Sequence, residues 1–413
     1  MIKILHFADA HIDMANFGRH DPESGLPLRV MDFLKSLDEI IQFALAEKVD
    51  LVIFAGDTYK DRSPAPTFQR EWGKRIMQLS RAGIPTLLLT GNHDISPATG
   101  RAHAIQEFDT LEVPHVHVVH QPQFLTPADL EGLPVQIIAF PWISRSSMMS
   151  MLDPGSVEPG QIYAAFNAHL AELIEDWLDA ADPDLPIILT AHASVEGALY
   201  GAERTVMLGK DLVLPYALVK NPRFDYVALG HIHKAQDLNK DAHPPVIYPG
   251  SIERVDFGEV ADRKYYVLAE VNKQNTRVTW QELKNIRPFI DLHVRLETDQ
   301  AINQTLQSHL PPPDELQDAI VRMVIEYPRA WEPLIDDNQL RELTAGAFEF
   351  HLVKRPRFET RGRLPEGRTA SQLRALELLN FYWKTSSSNL DQERVQTLNN
   401  LASSIIDEVN MRE

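Results

Sequence analysis

Five short apolar runs in this chain each end on a polar turn: "KILHFADAH", "LVIFAGD", "TLLLTGNHD", "IILTAH" and "YVALGHIH". Between them lie helical patterns at about Leu28 to Lys48, Thr67 to Arg81 and Ile162 to Leu178, and "VQIIAF" adds a further run ahead of the third. Strand, helix, strand in succession is the signature of an α/β fold with helices layered over a sheet. "KYYVLAEV" and "RVTWQEL" follow without helices, so the sheet is expected to gain antiparallel strands there. In open α/β sheets, ligands bind beyond the carboxyl ends of the strands. The polar turns can therefore converge on one edge, and they carry Asp9, His11, Asp57, Asn92, His93, His192, His231 and His233.

Each motif alone is weak. "GD" and "GN" are turn dipeptides more often than metal sites, and among sixteen histidines a second His-x-His, His115 and His117, has no carboxylate or glycine turn beside it. That pair reads as structural or surface. The specific signal is the order D-x-H, GD, GNHD, H, GHxH, each emerging from an apolar run. Two divalent cations held close need a bridging anion, a role suited to Asp57, while imidazole nitrogens and an amide oxygen complete the shells without repelling phosphate. Such a mixed nitrogen and oxygen set favours manganese, iron or zinc over magnesium. A pair of metals stabilises both oxygens of an in-line displacement, so the chemistry to expect is phosphoester hydrolysis.

Composition narrows the alternatives. The 413 residues include no cysteine, which removes disulfides, thiolate metal sites and thiol nucleophiles and fits a reducing cytoplasm. No apolar run reaches membrane-spanning length, so no membrane association is expected. The net charge of −18 counts against a nucleic-acid binder. Cations bound by an acidic cluster would change the local field, however, so the average charge misstates such a site.

From about Arg287 the texture changes. "RPFIDLHVRLET", "AIVRMVIEY" and "AFEFHLV" read as strands around the proline-broken loop "HLPPPDELQ", which suggests a small α+β unit over 286–353. Residues 354–368, "KRPRFETRGRLPEGR", hold six basic and two acidic residues without apolar periodicity and read as an exposed linker. Two helices follow within 369–413, roughly Ser371 to Lys384 and Gln392 to Met411, the second with Val395, Leu398, Ala402, Ile405, Ile406 and Val409 on one face. A helix pair of this kind either folds back on the body or docks on a partner.

These motifs resemble the calcineurin-like metallophosphoesterase superfamily. "HFADAHID", "GNHD", "GHIH", "YPGSIERVDFGE" (Tyr248 to Glu259) and "RPFIDLHV" resemble, within it, the SbcD components of the bacterial SbcCD nucleases and their archaeal relatives in double-strand-break repair. The resemblance implies a β-sandwich flanked by helices over 1–285, a capping and DNA-binding domain over 286–353, and a C-terminal segment that binds an SbcC-like coiled-coil ATPase. It implies one metal on Asp9, His11, Asp57 and His233 and a second on Asp57, Asn92, His192 and His231, with manganese the metal expected. His93 would act as general acid or transition-state stabiliser, or else brace its turn, and Asp94 would orient the loop. Leu376, Leu379, Trp383, Val395, Leu398, Ile405 and Val409 would face the ATPase. DNA ends and hairpins are the implied substrates, cut exonucleolytically from the 3′ side and endonucleolytically, by a homodimer within a cytoplasmic, nucleoid-associated heterotetramer.

One departure stands out. Relatives often carry a histidine or aspartate three residues past the bridging aspartate, where this chain has Lys60; Asp61 offers a replacement shifted by one residue. The alternative function is a small-substrate phosphodiesterase or phosphomonoesterase with the same site, which the acidic charge favours and the modules after residue 287 oppose. A scaffold with a vestigial site is a third class, opposed by the complete ligand set.

Overall fold

The computed structural model describes residues 1–16, 19–95, 101–152, 161–201, 212–357, 375–385 and 392–410. They form two compact units, Met1–Ile290 with Asp318–Ile320, and Asp291–Gln317 with Val321–Glu413.

The first unit holds two six-stranded sheets rather than the single extended sheet that strand and helix alternation alone suggests. In one, the strands run in the order Asn275–Glu282, Tyr265–Asn272, Ile2–Phe7, Leu51–Phe54, Thr86–Leu89, Val116–Val119. Its last four strands are parallel, and the first two join antiparallel as the helix-free sequence anticipates. The other runs Gln236–Asp237, Val246–Tyr248, Tyr226–Gly230, Ile187–His192, Gln136–Phe140, Gln123–Leu125, with four parallel strands at its centre.

Side-chain alternation explains why each central strand reads as an unbroken apolar run: both of its faces are buried. Ile4, Ile53 and Leu87 share one core with Ile137, Ile188 and Ala228 of the other sheet, which makes the sandwich. The alternate residues Leu5, Phe7, Val52, Phe54 and Leu88 turn outward onto Phe33, Leu37, Ile40 and Trp72 of helices Leu28–Glu47 and Pro66–Arg81. On the second sheet Ile138, Leu189 and Leu229 meet Phe166, Leu170 and Ile174 of helix Ile162–Ala180. The helices thus cover the sheets, as their amphipathic patterns predict.

The second unit is built on a three-stranded sheet in the order Phe289–Arg295, Ile320–Pro328, Glu349–Arg357. Its last strand runs four residues into the segment read as linker, and Lys354 pairs with Asp337 at 2.9 Å. Pro356 is tolerated because that strand is an edge. Residues 358–368 of the expected linker lie outside the described residues. Beyond them, helices Ala375–Thr385 and Gln392–Asn410 pack on each other. Leu376, Leu379, Trp383, Val395 and Leu398 are half-buried, Ile405 is exposed, and the side chain of Val409 lies outside the described residues. Among the described residues no helix is long and apolar enough to cross a membrane.

Candidate metal centre

The parallel registers bring the strand ends of both sheets to one place. Pairing of Phe7 with Phe54 aligns the turns carrying Asp9 and Asp57, and pairing of Gly230 with His192 aligns those carrying His192 and His231. Amides and carbonyls then stitch the turns together: Asp9 N–H donates to Gly56 O (2.9 Å), Ala10 N–H to Asp57 O (2.8 Å), and His231 N–H to the Asp9 carboxylate of the opposite sheet (3.1 Å). Asp9, His11, Asp57 and His231 have φ of 52°, 39°, 62° and 96°. Four non-glycine residues in the left-handed region at one site is strain that only a rigid surround sustains.

Two clusters result, Asp9 with His11 and His233, and Asp57 with His192 and His231, all buried. Within each cluster the potential ligand atoms lie within 4.8 Å of one another. The Asp57 carboxylate lies toward both, with Oδ2 3.9 Å from His11 Nε2 and 3.4 Å from His192 Nε2. Asn92 Oδ1 is 3.1 Å from His192 Nε2 and 2.9 Å from His231 Nδ1. All seven side chains singled out as ligands from the sequence therefore meet.

Hydrogen bonding tests whether a cation fits. A carbonyl only accepts, so His11 Nδ1 donates to Tyr59 O (3.2 Å), and His233 Nδ1 donates to the Glu259 carboxylate (2.8 Å). In the neutral rings both Nε2 atoms then carry lone pairs, and they face each other at 3.1 Å. No hydrogen bond forms between two acceptors; a shared cation satisfies both. Burial holds His11 well below the usual imidazole range and so keeps it neutral. Burial also pushes Asp9 up to about 7. It opposes ionisation of Asp57 too, but His192 and the other surrounding rings overcome it and hold that carboxylate well below its usual range.

The motif glycines have a steric reason. A Cβ on Gly91 would fall on the Asp57 carboxylate, and one on Gly56 on the His192 ring. Asp94 is fully buried and accepts amides from Asp57 (3.0 Å), Thr58 (3.0 Å) and Gly91 (2.9 Å), so it ties the second turn to the third.

His93 is half-buried; its amide donates to Asp57 Oδ1 (2.8 Å) and its Nδ1 to the Lys60 carbonyl (2.8 Å). It lines a cleft of about 750 Å³ with Asp13, Lys60, Arg62 and Phe68. Lys60 is exposed, and Asp61 directs its carboxylate to the Ser63 amide (3.0 Å). His115 pairs with Glu131 at 2.6 Å, in keeping with a surface role for the second His-x-His.

Sequence reasoning missed four neighbours. Glu259 accepts from His233 and is itself held by Lys264 Nζ (2.6 Å) and the Val255 amide (3.0 Å). Placing Glu259 is thus one physical use of the "YPGSIERVDFGE" segment. Trp142 lies over His231, ring centroids 5.0 Å apart, and Asp13 holds the loop after Asp57. A larger groove of about 940 Å³, lined by Leu199, Tyr216, Leu238, Tyr265 and Trp280, contains none of the candidate ligands.

A profile of the calcineurin-like phosphoesterase family matches residues 2–235, a span that contains all seven, and the chain belongs to that family. The chain is also similar to particular curated proteins. The SbcD component of the SbcCD nuclease of Escherichia coli K12 is 29% identical over 280 residues, covering 65% of this chain and 64% of that protein. The DNA double-strand break repair protein Mre11 of Archaeoglobus fulgidus is 25% identical over 298 residues, covering 71% and 60%. The matches thus span less than two thirds of either relative. Among solved structures, a dimetal phosphatase from Danio rerio is 11% identical with a TM-score of 0.37, over 68% of this chain and 99% of that one.

Proposed function

We propose that this chain is a manganese-dependent DNA nuclease that hydrolyses phosphodiesters at DNA ends and hairpins, as the nuclease component of an SbcCD-like complex. The observation that carries this reading is the pair of His and Asp clusters, with Asp57 directed toward both. The names of the relatives direct it toward DNA.

In this reading Asp9, His11, Asp57 and His233 hold one cation and Asp57, Asn92, His192 and His231 the other. Two bound cations offset phosphate charge and activate water. Each residue of the chain then has a defined task. The Nδ1–H bonds on His11 and His233 fix their tautomers so that Nε2 is the coordinating atom. Asp94 holds two turns in register by their amides. His93, its Nδ1 engaged by Lys60 O, presents Nε2 to the cleft. From there the ring, when protonated on both nitrogens, donates the Nε2 proton to the leaving oxygen as the P–O bond breaks and is left as the neutral Nδ1–H tautomer.

The complex is a homodimer of this chain with a coiled-coil ATPase, in the cytoplasm at the nucleoid, and the helices Ala375–Thr385 and Gln392–Asn410 dock on the ATPase. Their half-buried Leu376, Leu379, Trp383, Val395 and Leu398 and the exposed Leu401 and Ile405 support that role.

The test is cleavage of duplex ends and hairpins by purified protein with manganese and with magnesium. Manganese-dependent cleavage is expected, falling about a hundredfold or more in His93→Ala with metal binding kept. Undiminished cleavage in that variant removes His93 from the mechanism. Turnover of cyclic nucleotides or nucleotide monophosphates with none of DNA would establish a small-substrate phosphoesterase instead.

A further inference from the structure

We infer that Asp13 is a positioning residue for His93, acting through one peptide plane of the main chain. Its carboxylate accepts the Lys60 amide on Oδ1 and the Asp61 amide on Oδ2, the latter at 2.9 Å. The Asp61 N–H and the Lys60 C=O belong to the same peptide group, which is planar and trans, so they point in opposite directions. Holding the N–H toward Asp13 therefore aims the C=O away from it, at His93 Nδ1, 2.8 Å distant. Donating this hydrogen bond from the N–H also polarises the C=O and strengthens the bond it receives.

The main chain thus takes over a task for which a side chain three residues past Asp57 is expected. The Lys60 ammonium group cannot accept a hydrogen bond from imidazole, yet the Lys60 carbonyl does so without regard to the side chain. Asp61 directs Oδ1 to the Ser63 amide, and the group that meets His93 Nδ1 is the Lys60 carbonyl. With the backbone pinned to Asp57 and Nδ1 pinned to Lys60, the His93 ring has one orientation, and Nε2 is the atom left for the cleft. Asp13, at the rim of the same cleft, fixes the tautomer without holding the ring itself.

This rests on the proposed role of His93 only for its kinetic consequence; the tautomer can be read directly. In protein labelled with ¹⁵N-histidine and free of metal, the His93 resonance is identified by its loss in His93→Gln. Wild type and Lys60→Met are expected to show the Nδ1–H tautomer, whereas Asp13→Asn and Asp13→Ala show a mixture. With manganese, Asp13→Asn should lower kcat on DNA about tenfold to a hundredfold, but alter hydrolysis of bis(p-nitrophenyl) phosphate less than about twofold, because that leaving group needs no proton. Manganese affinity should be unchanged. Persistence of a pure Nδ1–H tautomer in both Asp13 variants overturns the inference. So does an equal loss on both substrates with weakened manganese binding, which is the signature of a loosened site. Wild-type protein inert on DNA, with the tautomer still dependent on Asp13, would sink the nuclease reading and leave this inference standing.

Discussion

Replacing Glu259 with methionine separates what this buried pair does for folding from what it does for metal. Glu259 and Lys264 are each 1% exposed at the side chain, with Nζ and Oε2 2.6 Å apart. Among the described residues, the Lys264 ammonium keeps only Ser251 Oγ at 2.7 Å and His233 O at 3.5 Å once the carboxylate is gone. Breaking a buried pair from one side costs about 3–5 kcal/mol because a charge is left uncompensated. That is a large share of the roughly 5–15 kcal/mol that holds a typical domain together. Removing both charges in Glu259→Met with Lys264→Met should recover most of the loss, leaving about 1–2 kcal/mol for the orphaned Val255 amide. Manganese affinity should behave differently. In both variants His233 Nδ1 loses its acceptor, the ring is free to rotate or change tautomer, and affinity falls about tenfold to a hundredfold. Urea unfolding of the metal-free protein gives the first quantity and calorimetric titration with manganese the second. A single substitution costing under about 1 kcal/mol would refute the argument for stability. A double variant that binds manganese like wild type would refute the argument for His233.

Three further outcomes are expected. Gly91→Ala places a methyl on the Asp57 carboxylate, so manganese titration should show binding lost, and unfolding should show about 1–3 kcal/mol of overpacking. His6, fully buried against Tyr226, has its pKa brought down to about 3 by burial, from 6.5. Its folded form is neutral, so its contribution is present above about 6.5 and is lost as pH falls toward 3, by about 5 kcal/mol in all; in His6→Leu, acid unfolding followed by circular dichroism should show a shallower dependence over that window. Removing residues 369–413 should abolish binding to the SbcC-like ATPase in pull-down and leave cleavage of short DNA ends intact; binding that survives would assign the helices to this chain's own fold.

What is legible in the sequence and what is not divides by whether one strand's own pattern is enough. The run Leu51 to Phe54 is apolar because both of its faces are buried, and Gly56 and Asp57 follow because the turn needs them; all of that is local. The same holds for helix Leu28–Glu47, whose end at Lys48 falls where its apolar periodicity stops. Sheet membership is not local. Ile4, Ile53 and Leu87 read no differently from Ile188 and Ala228, yet the first three lie in one sheet and the last two in the other, facing across one core. The strand Glu349–Arg357 reads as ending before 354 because "KRPR" has the texture of a polar linker, and only its place at a sheet edge lets proline and charge stand there. The partners of the site follow the same division. Candidate ligands can be read from strand ends, whereas Glu259, Lys264 and Asp13 meet their targets only through tertiary contact and belong to no spacing rule. The site itself depends on that non-local step. Asp9, His11, Asp57 and Asn92 end strands of one sheet, while His192, His231 and His233 end strands of the other, so neither sheet holds either cluster alone. The bond from His192 Nδ1 to Ala55 O (2.6 Å) and the one from His231 N to Asp9 fix the sheets against each other at that edge. The contacts that pack the two sheets together are therefore also the ones that bring the candidate ligands together. Substitutions in the shared core, at Ile53 or Ile188, should lower metal affinity as well as stability even though neither side chain is a candidate ligand.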